Sequence, residues 1–159
     1  MVRRICAAAA IVFFAVPAHG QNATQVVTFQ VTAINEVAVS GNPAPMVIST
    51  ATAGSAPAAV SGTGTSYAIT TNEPNKKITA SIDQPLPAGV TLEVSLAAPD
   101  GAASLGHVAL GTGGTDVVTG ISAANASALP ITYRLSATTT AATMAPQARV
   151  VTFTIVSGT

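Results

Sequence analysis

Alternation of apolar and polar residues with a period of two is the pattern that most constrains the fold of this chain. The clearest run is Val90–Leu96, in which every second residue is Val or Leu and the residues between them are Thr, Glu and Ser. In a β-strand such residues lie on opposite faces, so that one face contacts a core and the other contacts water. Apolar residues at helical spacing are almost absent after residue 20. The pattern therefore predicts an all-β protein.

Similar runs recur at intervals of roughly 8–14 residues and are separated by turns rich in Gly, Pro, Asn and Asp. The predicted strands are 27–31 with a continuation over 35–39, 46–49, 66–70, 76–82, 90–96, 107–110, 116–121, 131–135 and 149–156. The predicted strands 66–70 and 76–82, joined by the turn 72–75, are the clearest hairpin candidate. Residues 54–64 are typical of a loop, and residues 122–127 are typical of a single helical turn. The set predicts an immunoglobulin-like β-sandwich of seven to nine antiparallel strands, with a closed β-barrel as the alternative.

The first twenty residues have the three parts of a secretory signal peptide. Two arginines precede the uncharged apolar stretch Ile5–Val16, and small residues follow at Ala18 and Gly20. The apolar stretch has about 12 residues, fewer than the roughly 20 that a membrane-spanning helix needs. We expect cleavage after Gly20, which leaves one domain over residues 21–159. The predicted location is outside the cell or at the cell surface, with the periplasm as the alternative.

Few reactive side chains remain after the predicted signal peptide. The chain's one cysteine, Cys6, lies within it, and His107 is the single histidine that follows it. Four basic and six acidic residues remain, a net charge of 4 − 6 = −2, which does not favour binding to nucleic acid or anionic lipid. One histidine cannot complete a zinc site or, without a nucleophile motif, indicate a catalytic triad. We therefore predict no enzyme activity, no cofactor and no stable membrane insertion.

Two further groups of residues are candidates for binding sites. Asp83, Asp100 and Asp116 fall in or beside predicted loops, where a sandwich can gather carboxylates for calcium. They match no spaced calcium motif, so solvated turn residues are the commoner interpretation and calcium binding stays open. Tyr67 and Tyr133 lie on apolar faces of predicted strands, and we expect both in the core with the hydroxyl at its rim.

An internal similarity links the two ends of the predicted domain. Residues 26–31 read VVTFQV and residues 150–155 read VVTFTI, both uncharged and free of proline. The simpler interpretation makes them neighbouring first and last strands of one sandwich. The alternative is that Val27, Phe29 and Val31 form a partner-binding strand that completes the sheet of a neighbouring subunit. Uncharged β-forming edges pair between chains unless they are covered.

Several segments carry a resemblance to known proteins. They are TSYAITTN at 65–72, KITA at 77–80, LPAGVTL at 86–92, APDG at 98–101, ITY at 131–133 and VVTFT at 150–154. With these the chain resembles a family of short exported bacterial β-sandwich proteins, and more weakly pilin-like and spore-coat-like surface subunits. The resemblance implies export and a β-sandwich but no activity. The chain departs from chaperone-assembled pilins because it lacks their cysteine pair.

These observations favour a secreted, non-catalytic structural or surface protein, a filament or matrix subunit that assembles with itself by strand exchange. The alternative is a monomeric extracellular module that binds a glycan or a protein through loops near Asp100 or Asp116. A small hydrolase with His107 as its base is the third hypothesis.

Overall fold

A computed structural model describes residues 20–158 of the 159-residue chain. The predicted signal peptide, apart from Gly20, lies outside the described residues. The chain divides into two units after Val31, and every described strand lies in the second unit. Within the described part of the chain, no helix has the length and apolar character needed to cross a membrane.

The second unit contains nine β-strands arranged in two sheets. In chain order they are β1 (Asn35–Val39), β2 (Val60–Thr71), β3 (Lys76–Ile82), β4 (Val90–Leu96), β5 (Ala103–Ser104), β6 (Val108–Ala109), β7 (Thr115–Ile121), β8 (Asn125–Ala137) and β9 (Val151–Ser157). One sheet has the order β1-β2-β8-β4-β6 and the other the order β5-β7-β3-β9, and every ladder is antiparallel. The predicted all-β sandwich is confirmed, because the described strands form two separate sheets rather than one closed barrel.

The core between the sheets is built from the apolar faces that the alternation predicted. In β4 the side chains of Leu92, Val94 and Leu96 are buried, whereas Glu93 and Ser95 between them are half-buried and Thr91 before them is exposed. Each such side chain stabilises the fold by about 1.5–3 kcal/mol when it is fully buried. The remaining buried apolar residues are Tyr67, Ile69, Ile78, Ala80, Ile82, Leu110, Val117, Val118, Ile121, Ile131 and Tyr133.

Both tyrosines belong to this core, as expected. Tyr67 is 2% exposed, and its hydroxyl donates a 2.6 Å hydrogen bond to the carbonyl oxygen of Ala97. Burial raises the pKa of Tyr67 to about 12 and also raises the pKa of Tyr133. Removing a phenolic ring from water disfavours its charged form, so both side chains remain neutral packing groups across the physiological pH range.

The predicted hairpin over 66–82 is wrong. β2 and β3 do flank the turn at 72–75, but β2 lies in the five-stranded sheet and β3 in the four-stranded one. The connection therefore crosses from one layer to the other, with Asn75 at a positive φ of 49°. A short turn between two alternating runs fits side-by-side pairing and face-to-face packing equally well. The ladder partners settle the choice, because β2 pairs with β1 and β8 whereas β3 pairs with β7 and β9.

Three other local predictions differ from the structure. Residues 46–49 form no strand, and Met46 instead packs over β2, where a Cβ added at Gly62 would lie 2.9 Å from its sulfur. The predicted loop at 54–64 overlaps the first residues of β2, and the predicted helical turn at 122–127 contains the start of β8. Backbone pairing between β2 and β8 holds these small-residue segments in strands.

Candidate functional site

The predicted partner-binding segment is exposed and forms no strand. Residues 20–34 contain no strand, although 27–31 has a strong β-forming pattern. The predicted strand 27–31 is therefore wrong, and so is the simpler interpretation that it pairs as first strand with the last one. The exposed fraction is 71% for Val27, 88% for Phe29 and 78% for Val31. Single exposed apolar residues are ordinary, but a contiguous row on a neutral segment is typical of an interaction site.

β9 is an apolar edge strand of the domain. It is the last strand of its sheet, and β3 is its one ladder partner among residues 20–158. Val151, Phe153 and Ile155 point toward the core and are only half-buried. The strand contains neither a charged residue nor a proline, which are the devices that usually keep an edge from pairing with another chain.

The other edge strands of the described sheets are poorer acceptors. β5 and β6 have two residues each, so either can offer only a short ladder. β1 has five residues, carries the charged Glu36, and exposes every side chain except that of Val37. β9 has seven residues, none of them charged, and is the longest of these edge strands.

Hydrogen bonds hold both ends of β9 in place. At its beginning, the amide of Val150 donates to the Asp83 carboxylate at 2.9 Å, and the amide of Asp83 donates to the Val150 carbonyl at 3.1 Å. The Arg149 guanidinium donates to the carbonyl of Pro85, with Nη2 at 3.0 Å. Just beyond the end of β9, the amide of Gly158 donates to the carbonyl of Asn75 at 2.7 Å. The edge is therefore preorganised for an added strand, which lowers the entropic cost of binding.

Asn72 fixes the direction in which the chain enters β1. Its side-chain amide donates to the Thr32 carbonyl at 2.8 Å, and its side-chain oxygen accepts from the Ile34 amide at 2.8 Å. Its backbone amide also donates to the Ile34 carbonyl at 3.3 Å. This last bond continues the β1–β2 ladder one step past Asn35 and Thr71. Residues 32–34 consequently run in line with β1.

A cluster of polar side chains lies beside Asn72. The Glu73 carboxylate accepts a hydrogen bond from the Asn35 side chain and forms an ion pair with Lys76 at 2.9 Å. These two hydrogen bonds hold the pKa of Glu73 below its ordinary value. The Lys76 ammonium also donates to the Ser157 hydroxyl at 3.4 Å. The beginning of β1, the β2–β3 turn and the end of β9 are thus connected at one end of the domain.

The residues considered for calcium binding or catalysis are not brought together. Asp83 contacts the backbone at Val150, and Asp116 forms an ion pair with Lys77 at 3.0 Å. His107 is exposed on a bend before β6. Within residues 20–158 no group of three or more His, Cys, Asp or Glu side chains is placed to hold a metal ion.

Two open clefts contain the aspartates that the binding-module hypothesis uses. The larger, of about 440 Å³, is lined by Asp100, Pro99, Leu129 and the segment 123–127. The smaller, of about 290 Å³, is lined by Asp116, Lys77 and neighbouring residues. Neither is lined by an aromatic side chain, which is the usual platform for a sugar ring.

Comparison with known proteins yields no match: no protein-family model, no curated protein and no solved structure matches the chain. Asn72 is the residue of this candidate site that the sequence conceals, because it resembles an ordinary turn residue. Its bonds to Thr32 and Ile34 span 40 and 38 positions, and no local pattern signals them.

Proposed function

We propose that the protein is an exported, non-catalytic structural subunit of the cell surface or extracellular matrix, which assembles with copies of itself. In this proposal the segment 26–31 of one copy adds to the edge of β9 in another copy. One observation carries it: the same chain presents an exposed, neutral, β-forming segment and an open, neutral, half-buried strand edge. The sequence-level resemblance to exported surface subunits supports the proposal.

The two surfaces complement each other in apolar area. Adding the segment buries the side chains of Val27, Phe29 and Val31, and full burial of such a side chain is worth about 1.5–3 kcal/mol. The added strand also covers the half-buried side chains of β9 and satisfies backbone groups along its edge. Neither surface carries a charge that would have to be desolvated.

The test compares two aspartate substitutions in the secreted chain. Phe29→Asp places a charge among the apolar side chains that we expect to be buried, and it should abolish multimers. Thr28→Asp places the same charge on the opposite face of the same strand, and it should reduce assembly by less than about threefold. Light scattering after size exclusion, together with electron microscopy, measures the mass and shape of the assemblies.

Two results would reject this function. One is a wild-type chain that stays strictly monomeric at high concentration. The other is equal loss of assembly in Phe29→Asp and Thr28→Asp, since the proposal requires the two faces of the segment to differ.

The clefts at Asp100 and Asp116 favour a second candidate, a monomeric module that binds a glycan or a protein. For this candidate we expect a monomeric wild-type chain that binds on a glycan array. Asp100→Ala or Asp116→Ala should abolish that binding, whereas Phe29→Asp should leave it unchanged. A multimeric chain that binds no glycan contradicts it.

A further inference from the structure

The strand directions limit the ways in which the segment can reach a β9 edge. Asn35, the first residue of β1, pairs with Thr71, and Ser157, the last residue of β9, pairs with Lys76 just after the same turn. The chain therefore enters β1 at the end of the domain where β9 stops. We call this the entry end, and we call the opposite end, where β9 begins at Val151, the far end.

Parallel pairing of the segment with β9 leads to a closed assembly. A segment that folds back along β9 of its own copy runs toward the entry end, as β9 does, and is parallel to it. The same parallel pairing between two copies places their entry ends together. Each copy can then give its segment to the other, and the result is a dimer with two-fold symmetry and no free segment.

Antiparallel pairing of the segment with β9 leads to an open assembly. The segment then runs from the entry end of the acceptor to its far end, where the chain continues into the entry end of the donor's own domain. All copies have the same orientation, and the terminal copies keep one free segment and one free β9 edge. Such a heterologous contact generates an open filament unless its rotation happens to close a ring.

Two observations disfavour pairing of the segment with β9 of its own copy, which would require the chain to reverse. The three hydrogen bonds of Asn72 hold residues 32–34 in line with β1, so the chain does not reverse there. The seven residues Gln25–Val31 equal the seven residues of β9, which leaves none for a turn between the segment and Thr32. A chain that continues in line with β1 can reach β9 of another copy in either direction. Antiparallel ladders are slightly more stable per residue than parallel ones, which favours the head-to-tail arrangement over the two-fold dimer.

We infer, resting on the proposed function, that Gln25–Val31 of one copy pairs antiparallel with β9 of the next copy and joins the copies head to tail. The register places Phe29 opposite Phe153. Val27 then lies opposite Ile155, and Val31 lies opposite Val151. Residues directly opposite in an antiparallel pair share a face, so all these apolar side chains face the core. A shift of one residue would turn them to solvent.

Disulfide cross-linking tests the direction and the register together. Thr28→Cys combined with Thr154→Cys places two thiols opposite each other on the outward face, where both threonines are exposed. The chain after residue 20 has no cysteine, so the introduced thiols react only with each other. We expect a ladder of dimers, trimers and larger species on a non-reducing gel, which collapses to monomer on reduction.

Two matched controls separate specific from random cross-links. Thr28→Cys with Thr152→Cys shifts the pair by two residues along β9, and it should give a ladder at least fivefold weaker. Thr28→Cys with Thr91→Cys moves the second thiol to an exposed position in the other sheet and should give none. A ladder of equal strength in either control would overturn the register.

The other outcomes are equally decisive. A cross-linked product that stops at dimer would overturn the antiparallel inference and leave the exchange of the segment intact, whereas a disulfide within one monomer would overturn both. Multimers that form while the Thr28→Cys/Thr154→Cys variant gives no cross-link would reject β9 as the acceptor. A wild-type chain without multimers would reject the proposed function itself.

Discussion

Two segments of this protein have nearly the same sequence and opposite structural states. Residues 26–29 and 150–153 both read VVTF, yet Phe29 is 88% exposed whereas Phe153 packs against the core. The second segment pairs with β3 as β9, and the first forms no strand. The pattern of β-branched and aromatic residues therefore specifies a capacity to form a strand. The availability of a partner edge determines whether the strand forms.

Alanine at the two phenylalanines should give the largest difference between the segments. Phe153→Ala removes a half-buried ring, and we expect it to lower the free energy of unfolding by about 2–3 kcal/mol. Phe29→Ala should change that free energy by less than about 0.5 kcal/mol, as surface substitutions usually do. Urea unfolding at a concentration where the chain is monomeric measures both values. Equal losses would mean that both rings pack within the monomer.

A smaller effect is expected at Asp83, whose carboxylate holds the beginning of β9 in place. Asp83→Ala removes the carboxylate that accepts the Val150 amide, and it should cost about 1 kcal/mol of stability. Faster hydrogen exchange should be confined to the first residues of β9. Asp100→Ala, at an exposed turn, serves as the control and should leave this exchange unchanged. Unchanged exchange in Asp83→Ala would mean that β9 needs no anchor at its beginning.

The smallest effect concerns the polar cluster at the entry end. Because its native pKa is lowered, Glu73 contributes stability that is present above the ordinary glutamate pKa of about 4.3 and is lost as the pH falls through the lowered value. The effect is small because water screens an exposed carboxylate. The amide resonances of residues 32–35 should report this titration, and Glu73→Gln should remove it. In Asn35→Ala the titration should move to higher pH; no movement would contradict the assigned cause.

Long, regular alternation made part of the fold predictable. β3 and β4 have the bounds that the sequence predicts, since each buries one face along its whole length. β5 is too short to produce any pattern, whereas the predicted strand 107–110 contains the two residues of β6. The early part of β2 contains Gly62 and Gly64 and resembles a loop, and only its pairing with β8 keeps it in a strand. Local sequence does not encode such long-range pairing.

The sequence likewise predicts only part of the candidate site. Val27, Phe29 and Val31 are identifiable in the sequence because their alternation is local. The open edge of β9 is not, because it depends on the order of strands in the sheet. The side-chain bonds of Asn72 likewise join positions far apart in the chain.

The location of the entry end has a mechanical consequence for a head-to-tail filament. In such a filament, tension would enter each domain at Thr32, along the axis of β1, and would pass to the next copy through the proposed ladder on β9. Because both strands lie along the pulling direction, the load is shear, and the hydrogen bonds of a ladder resist it together instead of opening one after another. The Asn72 bonds to residues 32–34 reinforce the point where the load enters. Such a joint would be strong under tension although it contains no covalent cross-link.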